Sequence, residues 1–355
     1  MKTFRVLHIC DYAASYRGNF IDSLESLETY HDDVENFYLF PLRAQKTRAK
    51  EWIDNLNQNG VKAYIQKDNI FKNFALLSQI IKKHKINRIV RHFADPKIDI
   101  LIKLLFKGKN VIRFFHCYCS AEKNLFKRSM KRFIWHNNKL VGVSDSLLNQ
   151  IRTAYPKFSS FSILNAIHFE RLDKKEPYQK PDGVSLLMMG WDWHIKGVDL
   201  AIKAANTLQK KYNLILQIVC GKSEHKIKEL AKNILGEHVE WIQYLPQTNN
   251  VGTYYSASDI FLSPSRQEAF GYANIEAVYC GNSVVLSKVG GQGELEIEGA
   301  YWFENENLED FIHKLERAIN ELNTPQKKAQ RKQSKEQVEQ TYSLREWSNK
   351  LVGLF

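Results

Sequence analysis

Short β-branched or aromatic runs alternate with helical stretches along the chain, and after one polar interruption the alternation starts again. Strand–helix alternation of this kind builds a parallel sheet covered on both faces, because each crossover lays a helix against the sheet. In the first half the pattern predicts strands at Phe4–Ile9, Asn36–Phe40, Val61–Ile65, Arg88–Val90, Val111–Phe115, Lys139–Val143 and Ser162–Leu164. Residues 171–183 (RLDKKEPYQKPDG) are polar, hold two prolines and read as a linker. Strands then return at Val184–Met189, Leu214–Val219, Val239–Tyr244, Ile260–Leu262 and Val284–Leu286, with helices such as Val198–Lys211 and Tyr272–Cys280 between them. From Leu308 the tail is helical and charged. A length of 355 residues suits two cores rather than one. The expectation is an α/β protein of two doubly wound domains facing each other across a cleft. They span 1–170 and 171–342, and a last helix at 343–355 returns to the first domain. Ligands of such sheets sit beyond the carboxyl ends of the strands.

Composition removes other classes. Apolar residues make up 44% and charged residues 25%, both near the globular average, which excludes disorder, collagen and coiled coil. No apolar run reaches the ~18 residues of a spanning helix. The start, MKTFRVLHIC, lacks the long apolar stretch of a signal peptide and reads as a first strand. Five scattered cysteines (Cys10, Cys117, Cys119, Cys220, Cys280) argue against a disulfide framework and for a reduced, cytoplasmic protein. Cys117 and Cys119 form no complete zinc pattern and read as buried small hydrophobes, with a metal held together with the adjacent His116 as the lesser alternative.

Charge is unevenly spread. Residues 1–170 carry 28 Lys and Arg against 15 Asp and Glu, whereas residues 171–355 carry 23 against 24. Glu122–His136 (EKNLFKRSMKRFIWH) interleaves basic with bulky apolar residues at helical spacing. That is the composition of a helix on an anionic membrane, and equally of a helix that turns its apolar face to its own core. The asymmetry favours an anionic partner for the first domain, with peripheral attachment to the inner face of the cell membrane as one form of it. No nucleic-acid motif accompanies the charge, and no nucleic-acid partner is expected.

The richest chemistry lies in Asp259–Glu276, DIFLSPSRQEAFGYANIE. A buried strand runs into a loop, and a helix opens near Gly271. The free N–H groups and the positive dipole end of that helix suit a phosphate, and Gly271 lets it approach the backbone closely. Glu268 precedes the helix and Glu276 lies over one turn into it. Two carboxylates beside phosphates would repel them, so both suit sugar hydroxyls as hydrogen-bond acceptors.

This stretch resembles the Glu-x7-Glu signature of retaining GT-B glycosyltransferases of glycosyltransferase family 4, here Glu268-AFGYANI-Glu276. The segments around it are similar to the family in the same order. They are Gly190–Ala204 (GWDWHIKGVDLAIKA), Tyr244–Ser265 (YLPQTNNVGTYYSASDIFLSPS) and Ala277–Glu296 (AVYCGNSVVLSKVGGQGELE). In the first half, Leu140–Ile151 and Ser162–Leu172 resemble its Val-Ser helix start and its Asn-Gly turn.

The resemblance implies a GT-B fold of two Rossmann-like domains, with an acceptor domain first and a nucleotide-sugar donor domain second. By position against the family's motifs, Glu268 would hold a donor sugar hydroxyl, and the backbone amides of Phe270 and Gly271 the diphosphate. Glu276 would take the ribose hydroxyls, and Tyr244 and Leu245 the base. Lys196 would neutralise the diphosphate leaving group. His116, directly after a strand, would contact the donor sugar, and Gly18 matches the first-domain loop that meets the diphosphate. The sequence departs from the family at Trp191, where an arginine is common; Arg266 or Arg17 is the candidate replacement charge. Asn165-Ala166 and His168 stand at the Asn-Gly turn, and Ala269 replaces a glycine.

No D-x-D occurs, so no metal and no cofactor is expected, the helix dipole and Lys196 serving instead. The expected activity is metal-independent transfer of a hexose-type unit from a UDP- or GDP-sugar to a hydroxyl of a glycan, glycolipid or cell-surface polymer, as in polysaccharide biosynthesis. A nucleotide-sugar epimerase of the same fold and an inactive nucleotide-sugar-binding subunit are the alternatives.

Overall fold

The structure is a computed structural model that describes residues 3–93, 96–106, 110–119, 124–173 and 178–355. It divides into two compact units, Met1–Ala166 with Leu344–Phe355, and Ile167–Ser343. From the segments singled out in the sequence, Glu122, Lys123 and linker residues 174–177 lie outside the described residues.

Unit 1 begins β1 (Phe4–Cys10), α1 (Gly18–Tyr30), β2 (Val34–Phe40), α2 (Ala49–Gln58), β3 (Lys62–Ile65) and α3 (Ile70–Lys83). It continues β4 (Arg88–His92), α4 (Pro96–Phe106), β5 (Val111–Phe115), α5 (Leu125–Ile134), β6 (Lys139–Gly142), α6 (Asp145–Ala154) and β7 (Ser160–Ser162). All seven strands are parallel, in the order β3-β2-β1-β4-β5-β6-β7.

Unit 2 begins α7 (Glu170–Asp173), β8 (Val184–Met189), α8 (Val198–Gln209), β9 (Leu214–Val219), α9 (Glu224–Leu235), β10 (Ile242–Leu245) and α10 (Val251–Ser256). It continues β11 (Ile260–Ser263), α11 (Tyr272–Tyr279), β12 (Ser283–Ser287), β13 (Tyr301–Phe303), α12 (Leu308–Glu321) and α13 (Pro325–Thr341). Its parallel strands run β10-β9-β8-β11-β12-β13. Counted within each unit, both orders start 3-2-1-4-5-6, the doubly wound order of dinucleotide-binding folds, and each has its switch point beside its first strand.

The chain's last helix, α14 (Leu344–Val352), belongs to unit 1. There Trp347 is buried with its ring 6.2 Å from Phe114, and Phe355 lies against Phe4.

Local chemistry explains the elements. Central strands are buried on both faces and so read as continuous apolar runs: Leu186–Met188, Ile260–Leu262 and Val284–Leu286 are all buried. Several helices start on side-chain caps, with Asn69, Asn124, Ser144, Asn307 and Thr324 accepting from the backbone three residues on. Pro325 follows Thr324 as the first helical residue, where its missing N–H costs nothing.

Some boundaries differ from the expectations. The strand expected at Ser162–Leu164 is Ser160–Ser162, because Leu140–Gly142 of β6 set its register. The strand expected at Val239–Tyr244 is Ile242–Leu245; β9 pairs only with those four residues. The division falls after Ala166 rather than at 170, and Glu170–Asp173 of the expected linker form a helical turn. β13 has only three residues, too few to show in the sequence pattern.

Candidate functional site

The switch point of unit 2 lies between β8 and β11, where the loops leaving the two strands diverge to opposite faces of the sheet. The loop after β8 carries Trp191 to Lys196, and the loop after β11 carries Arg266 to Phe270. The Arg266 amide donates to Ile195 O at 2.8 Å, joining the two loops. Gly197 makes this approach possible. Its φ is +65°, and a Cβ there would lie 2.0 Å from Pro264 O. Gly271 has φ +96° at the start of α11. Neither α8 nor α11 has a side-chain cap at its start, so both open with a left-handed glycine beside the switch point.

Here the structure brings together three of the expected residues. Lys196 Nζ donates to Glu268 Oε2 at 2.6 Å, with both side chains largely shielded, and Glu268 lies three residues before Gly271. The ring of Trp191, 52% exposed, sits 5.4 Å from Lys196 Nζ. A tryptophan therefore flanks the lysine where the family commonly has an arginine, and the contact is a cation–π one.

Glu276 lies deeper, 6% exposed. Its carboxylate accepts from Arg171 and, at 2.9 Å, from Tyr255 Oη. Burial, then the adjacent carboxylate, pushes the Tyr255 hydroxyl well above its usual pKa, so it remains a donor. A carboxylate is an acceptor with about four lone-pair sites, which is the chemistry a sugar hydroxyl requires.

Arg266 is engaged elsewhere: it makes a two-pronged ion pair with Asp199 (2.8 and 2.9 Å) and also bonds Glu306 and His194 O. These bonds raise its pKa although burial opposes them. Arg17 of unit 1 is likewise held by Asp22 and Glu25. Neither side chain is thus a spare charge. Phe270 is buried, its ring edge-on to Tyr272 and Tyr342. Tyr244 and Leu245 end β10, at the sheet's far edge and two strands from β8; Lys228 Nζ covers the Tyr244 ring at 5.2 Å.

Gln292 was not singled out by sequence reasoning. It is fully buried and ties the end of β11, the end of β12 and the start of α11 together. It accepts from Ser263 Oγ (2.7 Å) and Asn274 Nδ2 (2.9 Å) and donates to Ser287 O (2.8 Å). Gly291 N donates to Glu268 O, which fixes the glutamate's backbone. The Gly-rich run Val289–Glu294 was the available signal. Arg171 was missed because it falls in a stretch that reads as linker.

Gly18 and His116 belong to unit 1, at the carboxyl ends of its own sheet. Gly18 opens α1 with φ +59°. His116 follows β5, stacks on Phe93 at 4.5 Å and meets Phe20 edge-on at 5.5 Å. Phe93 has φ +61°, a strained conformation for an aromatic residue, at the end of β4. Burial drives the His116 pKa down to about 3, so the ring is neutral at ordinary pH. Among the described residues, no three His, Cys, Asp or Glu side chains converge as a metal site would require.

Comparison with known proteins follows the same division. Residues 170–337, all within unit 2, match the family model described as glycosyl transferases group 1. An uncharacterized glycosyltransferase of Haemophilus influenzae is 30% identical over 169 residues, 46% of this chain and 47% of that one. An uncharacterized glycosyltransferase of Methanocaldococcus jannaschii is 28% identical over 250 residues, 68% of each chain. The chain thus spans about half the length of the first relative and about two thirds of the second. Among solved structures, a glycosyltransferase from Rickettsia africae aligns with TM-score 0.80 at 20% identity, covering 100% of this chain and 98% of that one. Anabaena HepE in complex with UDP and glucose aligns with TM-score 0.76 at 15% identity, covering 99% and 98%. The fold is therefore that of the GT-B glycosyltransferases, two parallel-sheet Rossmann-like domains.

Proposed function

We propose that this chain is a retaining glycosyltransferase that moves a hexose-type sugar from a UDP- or GDP-sugar to a hydroxyl of a glycan, glycolipid or cell-surface polymer. The observation that carries the reading is the Lys196–Glu268 pair beside the start of α11, which has no side-chain cap. A diphosphate at that helix start meets backbone N–H groups and the positive end of the dipole. As the bond from the anomeric carbon to the diphosphate breaks, negative charge grows on the leaving oxygen, and Lys196 stabilises it. Glu268 accepts from a sugar hydroxyl and Glu276 from the ribose, and in unit 1 His116 is the residue that meets a substrate hydroxyl. The acceptor oxygen bonds to the anomeric carbon on the face the leaving group vacates, and its proton passes to the departing phosphate. No protein nucleophile and no metal is assigned. HepE, a structural neighbour solved with UDP and glucose, supports a uridine nucleotide.

A thermal-shift panel of nucleotides and nucleotide-sugars tests the reading, since a ligand that binds only the folded chain raises its apparent stability. UDP- or GDP-sugars should give the largest shifts. Glu268→Ala should lower transfer by about 10²-fold or more while nucleoside diphosphate still binds. Binding without transfer by the unmodified protein would turn the reading to a nucleotide-sugar-binding subunit.

The acceptor is proposed to lie at an anionic membrane surface. Every described side chain of α5 is exposed or half-buried, and Phe126 and Phe133 are 78% and 70% exposed beside Lys127, Lys131 and Arg132. Leu104 of α4 is exposed as well, and Lys103 lies over the Phe133 ring. No helix among the described residues is long and apolar enough to cross a membrane, so attachment would be to the surface. In liposome flotation, the protein should rise with anionic but not with neutral vesicles, and a Phe126→Ser, Phe133→Ser double variant should remain at the bottom. Equal recovery with both vesicle types would remove the proposal.

A further inference from the structure

Glycosyl transfer, as read above, uses only the last of three histidines that stand in a row inside unit 1. His8 lies on β1, His92 ends β4 and His116 follows β5, and β1, β4 and β5 are consecutive in the sheet. His8 and His92 are fully buried. His8 Nδ1 is 3.4 Å from His92 Nε2, and His92 Nδ1 is 3.1 Å from His116 Nε2. At the inner end, His8 Nε2 is 3.1 Å from Asn36 Oδ1.

The direction of this chain follows from its inner anchor. Asn36 Nδ2 donates to Leu24 O at 2.9 Å, so the amide oxygen faces His8. An oxygen can only accept, so His8 carries its proton on Nε2 and leaves Nδ1 bare. Bare Nδ1 needs a donor, which makes His92 the Nε2–H form. His92 Nδ1 is then bare in turn and takes the Nε2–H of His116. Each step holds because the rings are neutral. Burial lowers His8 to about 4 against the pull of Asn36, and lowers His92 well below its usual value with help from the neighbouring His116, His8 and Arg91. A reversed chain would set the bare His8 Nε2 against Asn36 Oδ1, two acceptors at hydrogen-bond distance in a dry core. Turning the Asn36 amide over would only move the conflict to Leu24 O.

We propose that Asn36, His8 and His92 are positioning residues that hold His116 in its Nε2–H tautomer, so that His116 meets substrate through a bare Nδ1, as an acceptor for a hydroxyl. The substrate half of this statement rests on the glycosyl-transfer reading, whereas the tautomer does not. The rings beside His116 are those of Phe20, Phe93 and Phe114, which hold its plane without setting its proton. The proton is set from Leu24 O, through Asn36 and two imidazoles.

Long-range ¹H–¹⁵N correlation on the full chain with labelled histidine assigns the three tautomers at neutral pH. All three rings should be neutral with the proton on Nε2. A His116 found as Nδ1–H, or doubly protonated, would overturn the proposal. Asn36→Leu removes the anchor without touching His116. Both His116 tautomers should then appear, and kcat should fall about tenfold while donor KM changes by less than about twofold. An unchanged His116 signal in that variant would also overturn it. His92→Gln can donate on one arm and accept on the other, so it should keep the His116 tautomer and recover kcat relative to His92→Phe, which can do neither. If the leucine and phenylalanine variants do not fold, the unmodified protein and His92→Gln still decide. The expected tautomers in a protein that transfers no sugar would leave the relay standing and remove the functional reading.

Discussion

Both units wind their sheets in the same order, yet only the switch point of unit 1 adds a cluster of aromatic rings and buried imidazoles to its ion pairs. In unit 2 the loops after the first and fourth strands carry ion-paired side chains: Lys196 with Glu268 and Arg266 with Asp199. Arg171 with Glu276 stands just behind them. In unit 1 the loop after the first strand also carries ion pairs, Asp11 with Arg43 and Arg17 with Asp22 and Glu25, but beside them stand aromatic rings and neutral imidazoles, with Tyr12, Phe20, Phe93 and His116 in mutual contact. Topology supplies a place where loops part, and the residues on those loops decide what the place can hold. Charged pairs suit a phosphorylated ligand whose charge changes during reaction. A wall of aromatic rings and neutral imidazoles suits a polyhydroxy ring that needs shape and a few acceptors.

The sharpest way to break this comparison is to remove the charge from unit 2. Lys196→Ala should lower kcat about 10²- to 10³-fold, the loss expected when one group stabilising a developing anion is deleted, with a smaller change in nucleotide binding. Steady-state kinetics with the donor identified in the thermal-shift panel measures it. A loss below about tenfold would mean that the helix start alone carries the diphosphate.

The glycines separate the two loops on a second axis. Gly197 and Gly18 have similar φ, +65° and +59°, but only Gly197 is crowded. Its added Cβ would lie 2.0 Å from Pro264 O, whereas at Gly18 the nearest atom is Tyr12 Oη at 3.7 Å. Gly18→Ala should therefore cost about 1 kcal/mol, the conformational penalty alone. Gly197→Ala should cost about 3 kcal/mol or more, because backbone must also move. Urea midpoints of the two variants check this, and equal costs would show that the loop after β8 yields freely.

The sheets were legible because central strands, buried on both faces, leave continuous apolar runs. Val111–Phe115, Val184–Met189 and Leu214–Val219 match their expected bounds for that reason. Edge strands such as β7, β10 and β13 are short and partly exposed, and their bounds are set by pairing that no local pattern encodes. In the site, Glu268 and Gly271 could be found because a loop-to-helix junction is a local feature. Arg171 and Tyr255 could not, since they reach Glu276 only through the fold. Charge counting was misled at Arg113. It belongs to the basic excess of residues 1–170, yet it is buried against Asp99, which also holds Arg91. The histidine row is invisible in sequence for the same reason, its members lying 84 and 24 residues apart.

That row also predicts how the two units respond to acid. An unfolded histidine takes up a proton near pH 6.5, but His8 does so in the native unit only near pH 4, and His92 lower than its usual value as well. Between the unfolded and native values the unfolded chain holds more protons, so stability is fully present above about pH 6.5 and drains away as pH falls toward 4. Each fully buried ring contributes a slope of up to about 1.4 kcal/mol per pH unit. The histidines of unit 2, His168, His194, His225, His238 and His313, are half-buried or exposed. Amide exchange on the full chain at pH 7 and pH 5 should show β1, β4 and β5 losing protection while β8, β9 and β11 lose less. Replacing His92 by Gln should flatten the unit 1 response by about one proton. Parallel losses in the two sheets would mean that something other than the buried imidazoles governs the acid response, and the contrast between a unit with a buried imidazole row and one without would lose its thermodynamic support.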